Sequence, residues 1–243
     1  MIRLDSDIDS AIHVRARQRA LIEWRGPRVA EMLLNPYRFG GAATDPFFGS
    51  VDSLLHFGGL NGSTTFTDEK PKTWTRTGAP VISTTESKFG GSSGRFPSGG
   101  KISAALGPIG TGDFTVEAFV RPDGIGAGYR AIWFNTAGSG VGLYQKANTF
   151  IWYEGGDRCV SAAISAATWY YVAIRRASGT LSLYLDAVAS GTTHASTVNL
   201  ATTQYVGSNA ATTEDFVGYI DEFRVTSLAR TISTVPTAPF PNS

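Results

Sequence analysis

Thr168-Trp-Tyr-Tyr-Val-Ala-Ile-Arg-Arg-Ala-Ser-Gly-Thr-Leu-Ser-Leu-Tyr-Leu-Asp-Ala-Val-Ala-Ser-Gly191 decides the fold class of this chain. In its first half Trp169, Tyr171 and Ala173 fall on one face of an extended segment, and Tyr170, Val172 and Ile174 on the other. Both faces are apolar, which describes a strand covered on both sides. The loop Ala177-Ser178-Gly179 leads into a second alternating run, with Leu181, Leu183 and Leu185 facing one way and Ser182, Tyr184 and Asp186 the other. A short glycine-containing loop between two such runs is a hairpin signal. This hairpin is expected at the centre of a β-sandwich.

Further strand-like runs flank it at short spacing. They are expected over 53–57, 64–67, 101–105, 113–121, 130–135, 142–145, 150–154, 159–164, 204–207 and 218–226. Phe114, Val116, Ala118 and Val120 share a face, as the inner residues of a half-buried strand do. About a dozen short strands without a convincing helix predict an all-β sandwich or barrel. Most of the 28 glycines fall between the apolar runs, where they mark turns.

Composition bounds the function. Of 243 residues 42% are hydrophobic and 17% charged, the balance of a core-forming protein. A formal charge of +1 argues against a general nucleic-acid binder or a polybasic membrane-surface protein. No run of about 18 apolar residues suits a bilayer span. Cys159 is the single cysteine, so no intrachain disulfide forms and assembly in a reducing cytosol is expected. The opening residues, Met1 to Asp9, alternate in charge and lack the apolar segment of a secretory signal.

The first 50 residues differ from the rest. All seven of their basic side chains are arginines, whereas the five lysines lie later. Ile12, Val14, Ala16, Ala20, Ile22 and Trp24 alternate with His13, Arg15, Arg17, Arg19 and Glu23, which reads as a long strand turning at Arg25-Gly26-Pro27. A helix is the alternative, since Ala, Arg and Gln are good helix formers. A two-stranded ribbon is marginal alone, so this arm is expected to pair with a partner through Arg15, Arg17, Arg19 and Trp24. The arginine row suits phosphate or carboxylate; a solvated strand face is the plainer reading. The Gly- and Pro-rich stretch 35–46 reads as a linker, which divides the chain into an arm over 1–50 and a domain over 51–243.

The order of several motifs resembles a known family. Leu54-Leu-His-Phe57, Asn61-Gly-Ser-Thr-Thr-Phe-Thr-Asp68 and Ser87-Lys-Phe-Gly-Gly-Ser-Ser93 come first. Gly112-Asp-Phe-Thr-Val-Glu-Ala-Phe-Val-Arg-Pro122, Leu181-Ser-Leu-Tyr-Leu-Asp186 and Gly218-Tyr-Ile-Asp-Glu-Phe-Arg-Val225 follow. Together they resemble concanavalin A-like, laminin G-type jelly rolls of the kind found in bacteriophage virion proteins, over roughly 53–241. The resemblance implies an all-β, concanavalin A-like jelly-roll sandwich with an extended N-terminal β-arm. It also implies a non-enzymatic virion structural protein, in a tail, fibre or capsid decoration. In that setting the arm contacts other virion proteins, and homo-oligomers are expected within the particle. A lectin-like module for host surface polysaccharide is the alternative. Two departures stand out. Gly58 and Gly59 follow His56-Phe57 where the family often has an acidic residue. Asp186-Ala187 stands where it favours Asn-Gly, so a loop other than a two-residue primed turn is expected there.

The residues themselves suggest little catalysis. Asp221 is expected on the apolar face of Tyr219, Phe223 and Val225, where a carboxylate must be paired, hydrogen-bonded or metal-bound. The resemblance implies a structural calcium, with Asp68 and Asp221 as ligands; satisfaction of Asp221 by backbone N–H groups or an arginine is the competing reading. No other cofactor is implied. Asp221 and Glu222 are adjacent and so expected on opposite faces, unlike the paired carboxylates of glycosidases. No nucleophile elbow, phosphate loop or zinc-protease motif occurs. Trp133, Trp152 and Tyr153, with Tyr144, lie near turns where rings stack on a glycan if exposed; the competing reading is a core position.

Overall fold

The computed structural model describes residues 44–243. The arm residues Arg15, Arg17, Arg19 and Trp24 lie outside the described residues. The strand-bearing unit begins at Asp45, ahead of the boundary expected near residue 50. The reason is a contact: the Asp45 carboxylate is buried between Arg224 and Arg230, at 3.0 and 2.8 Å.

Fifteen strands follow a 3-10 turn at Phe48–Ser50: β1 (Val51–Leu55), β2 (Thr75–Thr77), β3 (Val81–Ser83), β4 (Ser93–Phe96), β5 (Lys101–Ala105), β6 (Phe114–Pro122), β7 (Gly126–Asn135) and β8 (Val141–Ala147). They continue as β9 (Thr149–Glu154), β10 (Asp157–Arg158), β11 (Tyr170–Ala177), β12 (Thr180–Leu185), β13 (Val188–Ala195), β14 (Thr203–Val206) and β15 (Gly218–Thr226). One antiparallel sheet runs β13-β12-β11-β6-β15-β4-β3, with β1 also paired to β15. The other runs β10-β9-β8-β7-β14-β5-β2. The expected jelly-roll sandwich is therefore the observed one, with the central hairpin as β11 and β12 in the first sheet.

Period-two alternation builds the core. Phe114, Val116, Ala118 and Val120 of β6 and Val172 and Ile174 of β11 point between the sheets, where they meet Trp133, Leu143, Phe150 and Trp152. Each fully buried side chain of this size contributes about 1.5–3 kcal/mol. The outer face of the first sheet is also covered. Phe119, Tyr171 and Ala173 lie beneath Phe48, Ile232, Val235 and Phe240, so β11 is buried on both sides as the sequence predicts, and β6, expected to be half-buried, is covered on its outer face as well. Trp169 sits just before β11 and is half-buried against this outer cluster.

Several expectations fail for identifiable reasons. Residues 64–67 form no strand; Phe66 plugs the core edge-on against Phe57. At 159–164 the chain leaves the sheet because Cys159 has φ +48°, which extended backbone does not accommodate. The short strands β2, β3 and β4 and the exposed, polar β13 were not anticipated. The loop between β12 and β13 is a two-residue turn after all: Asp186 has φ +48° and Ala187 φ +63°, the signature of a primed hairpin. The Asp186 carboxylate accepts the Tyr171 N–H at 2.9 Å, and its own N–H donates to Tyr171 O at 2.8 Å. Those bonds hold the turn against the cost of alanine in the left-handed region.

β15 carries a bulge. Its register to β6 shifts between Asp221 and Arg224, and Glu222 adopts φ +50°. Ile220, Phe223 and Val225 therefore face the core. Asp221 does not share their face, contrary to strict alternation. Its partners are instead the backbone N–H groups of Lys88 and Phe89, in the loop above the outer face.

Candidate functional site

The outer face of the second sheet is the candidate site. Sequence alternation on β9 sends Phe150 and Trp152 inward and Ile151 and Tyr153 outward. On β8 Tyr144 and Lys146 point outward. On β7 Tyr129, Ala131 and Phe134 do, with an irregularity between Ala131 and Trp133 that returns Trp133 to the core. Tyr205 of β14 pairs in register with Phe134.

Three tyrosines pack mutually at steep angles. Ring centroids are 5.3 Å apart for Tyr129–Tyr153, 5.9 Å for Tyr129–Tyr144 and 5.9 Å for Tyr144–Tyr153. Tyr144 is buried at the base of this group, whereas Tyr129, Tyr153 and Tyr205 are half-buried and reach solvent. Gly142 makes room for the base. A Cβ there would lie 2.3 Å from Trp133 O and 3.0 Å from the Tyr144 ring.

Polar groups rim the rings. The Tyr129 hydroxyl donates to Asp157 Oδ1 at 2.7 Å, and Lys146 Nζ donates to Asp157 Oδ2 at 2.6 Å while lying 4.3 Å from the Tyr129 ring centroid. Burial acts to raise the Asp157 carboxyl, but the hydrogen bonds from Lys146 and Tyr129 outweigh it and hold it below its ordinary value. The Tyr144 hydroxyl donates to Glu214 Oε2 at 3.0 Å, and burial together with that carboxylate pushes the phenol well up. Glu214 arrives on the loop 207–217. Lys101 fastens this loop by donating to the carbonyls of Asn209 and Ala210 and to Thr212 Oγ1.

Trp133 and Trp152 are not part of this face. Both are fully buried, stacked on each other at 5.9 Å and against Phe114, so neither offers a ring to a sugar. Their indole N–H groups donate to Gln204 and Glu154 inside the sandwich. Tyr153, for which the sequence left an exposed and a core position open, is half-buried on the outer face, beside the buried Tyr144. Tyr129, Phe134, Tyr205, Lys146, Asp157 and Glu214 were missed. Alternation along 149–154 separates Tyr153 from Trp152, but the other members come from distant strands and a loop.

The carboxylates expected at a calcium do not form a ligand set. Asp68 accepts from the Leu54 and Lys70 N–H groups, the Ser53 hydroxyl and the Trp74 indole at 2.6–3.0 Å. Asp221 is fully buried and accepts the N–H groups of Lys88, Phe89 and Glu222 at 2.8–3.0 Å. Burial pushes Asp221 up, to about 7, against the pull of those donors. Its oxygens are thus satisfied by protein, and among the described residues no group of three His, Cys, Asp or Glu is arranged to hold a metal.

The bulge creates a second polar site. His56 Nδ1 lies 2.8 Å from both oxygens of the buried Glu222, which also accepts the Phe240 N–H at 2.8 Å. A cavity of about 340 Å³ opens there, lined by His56, Ser92, Glu222, Pro239, Phe240 and Asn242. Burial disfavours the imidazolium, but the bond to Glu222 and its charge, with Glu69 and Asp221 beyond, raise His56 above its ordinary 6.5. The pair therefore contributes fully below about pH 6.5 and its contribution is lost as pH rises through the folded value. His56→Asn is expected to lower the melting temperature by several degrees more at about pH 5.5 than at about pH 8.5. An equal loss at both pH values would show that the pair does not titrate with folding.

Residues 96–235 match the family described as the Concanavalin A-like lectin/glucanases superfamily. The chain belongs to that superfamily. Comparison with curated protein sequences gives no match. Among solved structures, this concanavalin A-like domain is similar to domain 4 of AbnA, a GH43 extracellular arabinanase from Geobacillus stearothermophilus, in complex with arabinotriose. The TM-score is 0.54 and identity 17%, covering 75% of this chain and 94% of that one. It is also similar to a Trypanosoma rangeli sialidase, with TM-score 0.55 and 14% identity over 80% of this chain and 33% of that one. The receptor binding domain of a botulinum neurotoxin C/D mosaic gives TM-score 0.56 and 14% identity over 75% and 49%. The concanavalin A-like chain thus spans a third to a half of the last two proteins. At these identities the likeness shows the fold.

Proposed function

We propose that this chain is a non-enzymatic carbohydrate-recognition module carried on a bacteriophage particle, with host surface polysaccharide as its ligand. One observation carries the recognition role. Tyr129 and Tyr153 present half-exposed rings beside Asp157 and Glu214 on the outer face of the second sheet, so apolar sugar faces and sugar hydroxyls are both provided for. Similar folds include a domain solved with arabinotriose, which agrees with this chemistry. The virion setting rests on the motif order over 53–241 and on the arginine-rich first 50 residues, whose strand pattern suits attachment to a capsid or tail protein.

The state of two carboxylates supports the non-enzymatic reading. Asp157 is held ionised by Lys146 and Tyr129, which suits an acceptor and not a general acid. Asp221 is raised, but it is fully buried and its oxygens accept backbone N–H groups, so no substrate reaches it.

Retention on insoluble polysaccharide and on purified host envelopes tests the recognition role. Tyr153→Ala and Tyr129→Ala should each cut retention by the full chain about tenfold, as loss of a stacking ring does. Undiminished retention in both variants would remove the tyrosine face from consideration. In the same preparations, a chain lacking residues 1–43 should stay folded and fail to enter particles. Normal incorporation would refute attachment through the arm.

A further inference from the structure

The ends of the tyrosine face define which carbohydrate it takes. Cross-strand register places Asp157, Tyr153, Gly142, Phe134, Tyr205, Ser103 and Thr75 in one row spanning all seven strands of the second sheet. Within this row Gly142 has no side chain, and the Tyr144 ring leans over it. Tyr144 and Phe134 are therefore a low apolar floor, 2% and 9% exposed, between the more exposed rings of Tyr153 and Tyr205. Three strand steps separate the end rings, roughly 14 Å, or about the length of three linked hexoses.

Charge decides the class. Lys101 spends its donors on the loop 207–217, and Lys146 is paired with Asp157. Glu214, in contrast, is held by the Tyr144 hydroxyl and the Asn209 amide, both neutral. Arg76 and Arg158 lie on the edge strands β2 and β10, beyond either end ring. Among the described residues, a carboxylated sugar on this row meets an uncompensated carboxylate and no free cation.

Resting on the recognition role proposed above, we infer that the face binds a linear, neutral oligosaccharide laid across the strands from Tyr153 to Tyr205, and discriminates against sialylated or uronate chains. The Glu214 carboxylate accepts hydroxyl hydrogens from the middle of that chain and repels anions.

Titration calorimetry of the full chain tests this with mono-, di- and tetrasaccharides of gluco, galacto, manno, arabino and N-acetylglucosamine type. Sialyllactose and tetragalacturonate are the acidic probes. At least one neutral tetrasaccharide should bind about tenfold or more tighter than its disaccharide. Tyr153→Ala and Tyr205→Ala should each remove most of that gain while the melting temperature stays near wild type. Acidic probes should bind at least about tenfold more weakly, a gap that Glu214→Gln narrows. Equal affinity for mono- and tetrasaccharides would overturn the across-strand path. Preference for an acidic probe would overturn the charge assignment. No binding to any probe, neutral or acidic, alongside no retention on polysaccharide or host envelopes, would instead remove the recognition role itself.

Discussion

Arg176→Met should lower the unfolding free energy by about 3–5 kcal/mol, one of the largest single-residue effects in this domain. The side chain is fully buried on the core-facing side of β11, in line with Val172 and Ile174. Among the described residues no carboxylate bonds it. Nε and Nη2 donate to Gly112 O at 2.8 and 2.6 Å, Nη1 donates to Val198 O at 2.7 Å, and Nη2 also donates to Gly110 O at 2.8 Å. The guanidinium lies 4.9 Å from the Phe114 ring centroid. It thereby joins the segment before β6 to the segment before β14. Methionine fills much of the volume but leaves the carbonyls of Gly112 and Val198 without this donor, at about 1–3 kcal/mol for each buried orphan. Arg176→Lys should lose nearly as much, because an ammonium lacks the planar fork that serves three carbonyls at once. Urea unfolding of both variants measures this. A loss below about 1 kcal/mol in Arg176→Met would mean that water or local rearrangement replaces the guanidinium.

Glu117→Ala should cost a similar amount, about 3–5 kcal/mol, by a different route. Glu117 is buried on the outer face of β6. It accepts the Tyr171 hydroxyl, and Arg224 Nε and Nη2 each lie 2.9 Å from its Oε1. Arg224 reaches on to Asp45 at 3.0 Å, and Arg230 lies 2.8 Å from Asp45 and 3.5 Å from Glu117. Two carboxylates and two guanidiniums thus balance beneath Phe240, whose ring centroid is 3.8 Å from the Arg224 guanidinium. Removing one carboxylate leaves two buried cations to share the other. A cycle with Arg224→Met separates this from lost packing. The double variant should be less destabilised than the two single losses added together, and strict additivity would refute a coupled network. Because Asp45 belongs to this network, deleting residues 1–50 should destabilise the domain, whereas deleting 1–43 should not.

Sequence reading succeeded where alternation is local and strong. The runs 114–121 and 170–177 carry enough apolar contrast to place their core-facing residues, and the motif order resolved the sandwich type. It failed where one residue changes phase. The bulge at Glu222 moves Phe223 and Val225 to the face opposite Asp221, and the irregularity before Trp133 does the same on β7. Nothing in the residue types at these points announces either shift. The turn at Asp186-Ala187 is similar: local preference argues against it, and pairing of β12 with β13 together with the bonds to Tyr171 overrides that preference. Of the candidate site, only Tyr153 and Tyr144 were legible. The other members converge from β7, β8, β10 and β14 and from a loop whose placement depends on Lys101, relations that linear spacing does not encode.

The hydrogen bond from the Asp45 N–H to Ser243 O, at 2.7 Å, places the two limits of the folded unit side by side. They meet near Arg224 and Arg230, on the side of the sandwich turned away from the tyrosines. A unit closed in this way behaves as a cassette. It can be spliced into a surface loop of a carrier without prising apart the strands that flank the insertion, and circular permutation through a short linker should preserve it. In either arrangement the junction lies on the side of the first sheet, and the tyrosine face of the second sheet stays clear of it.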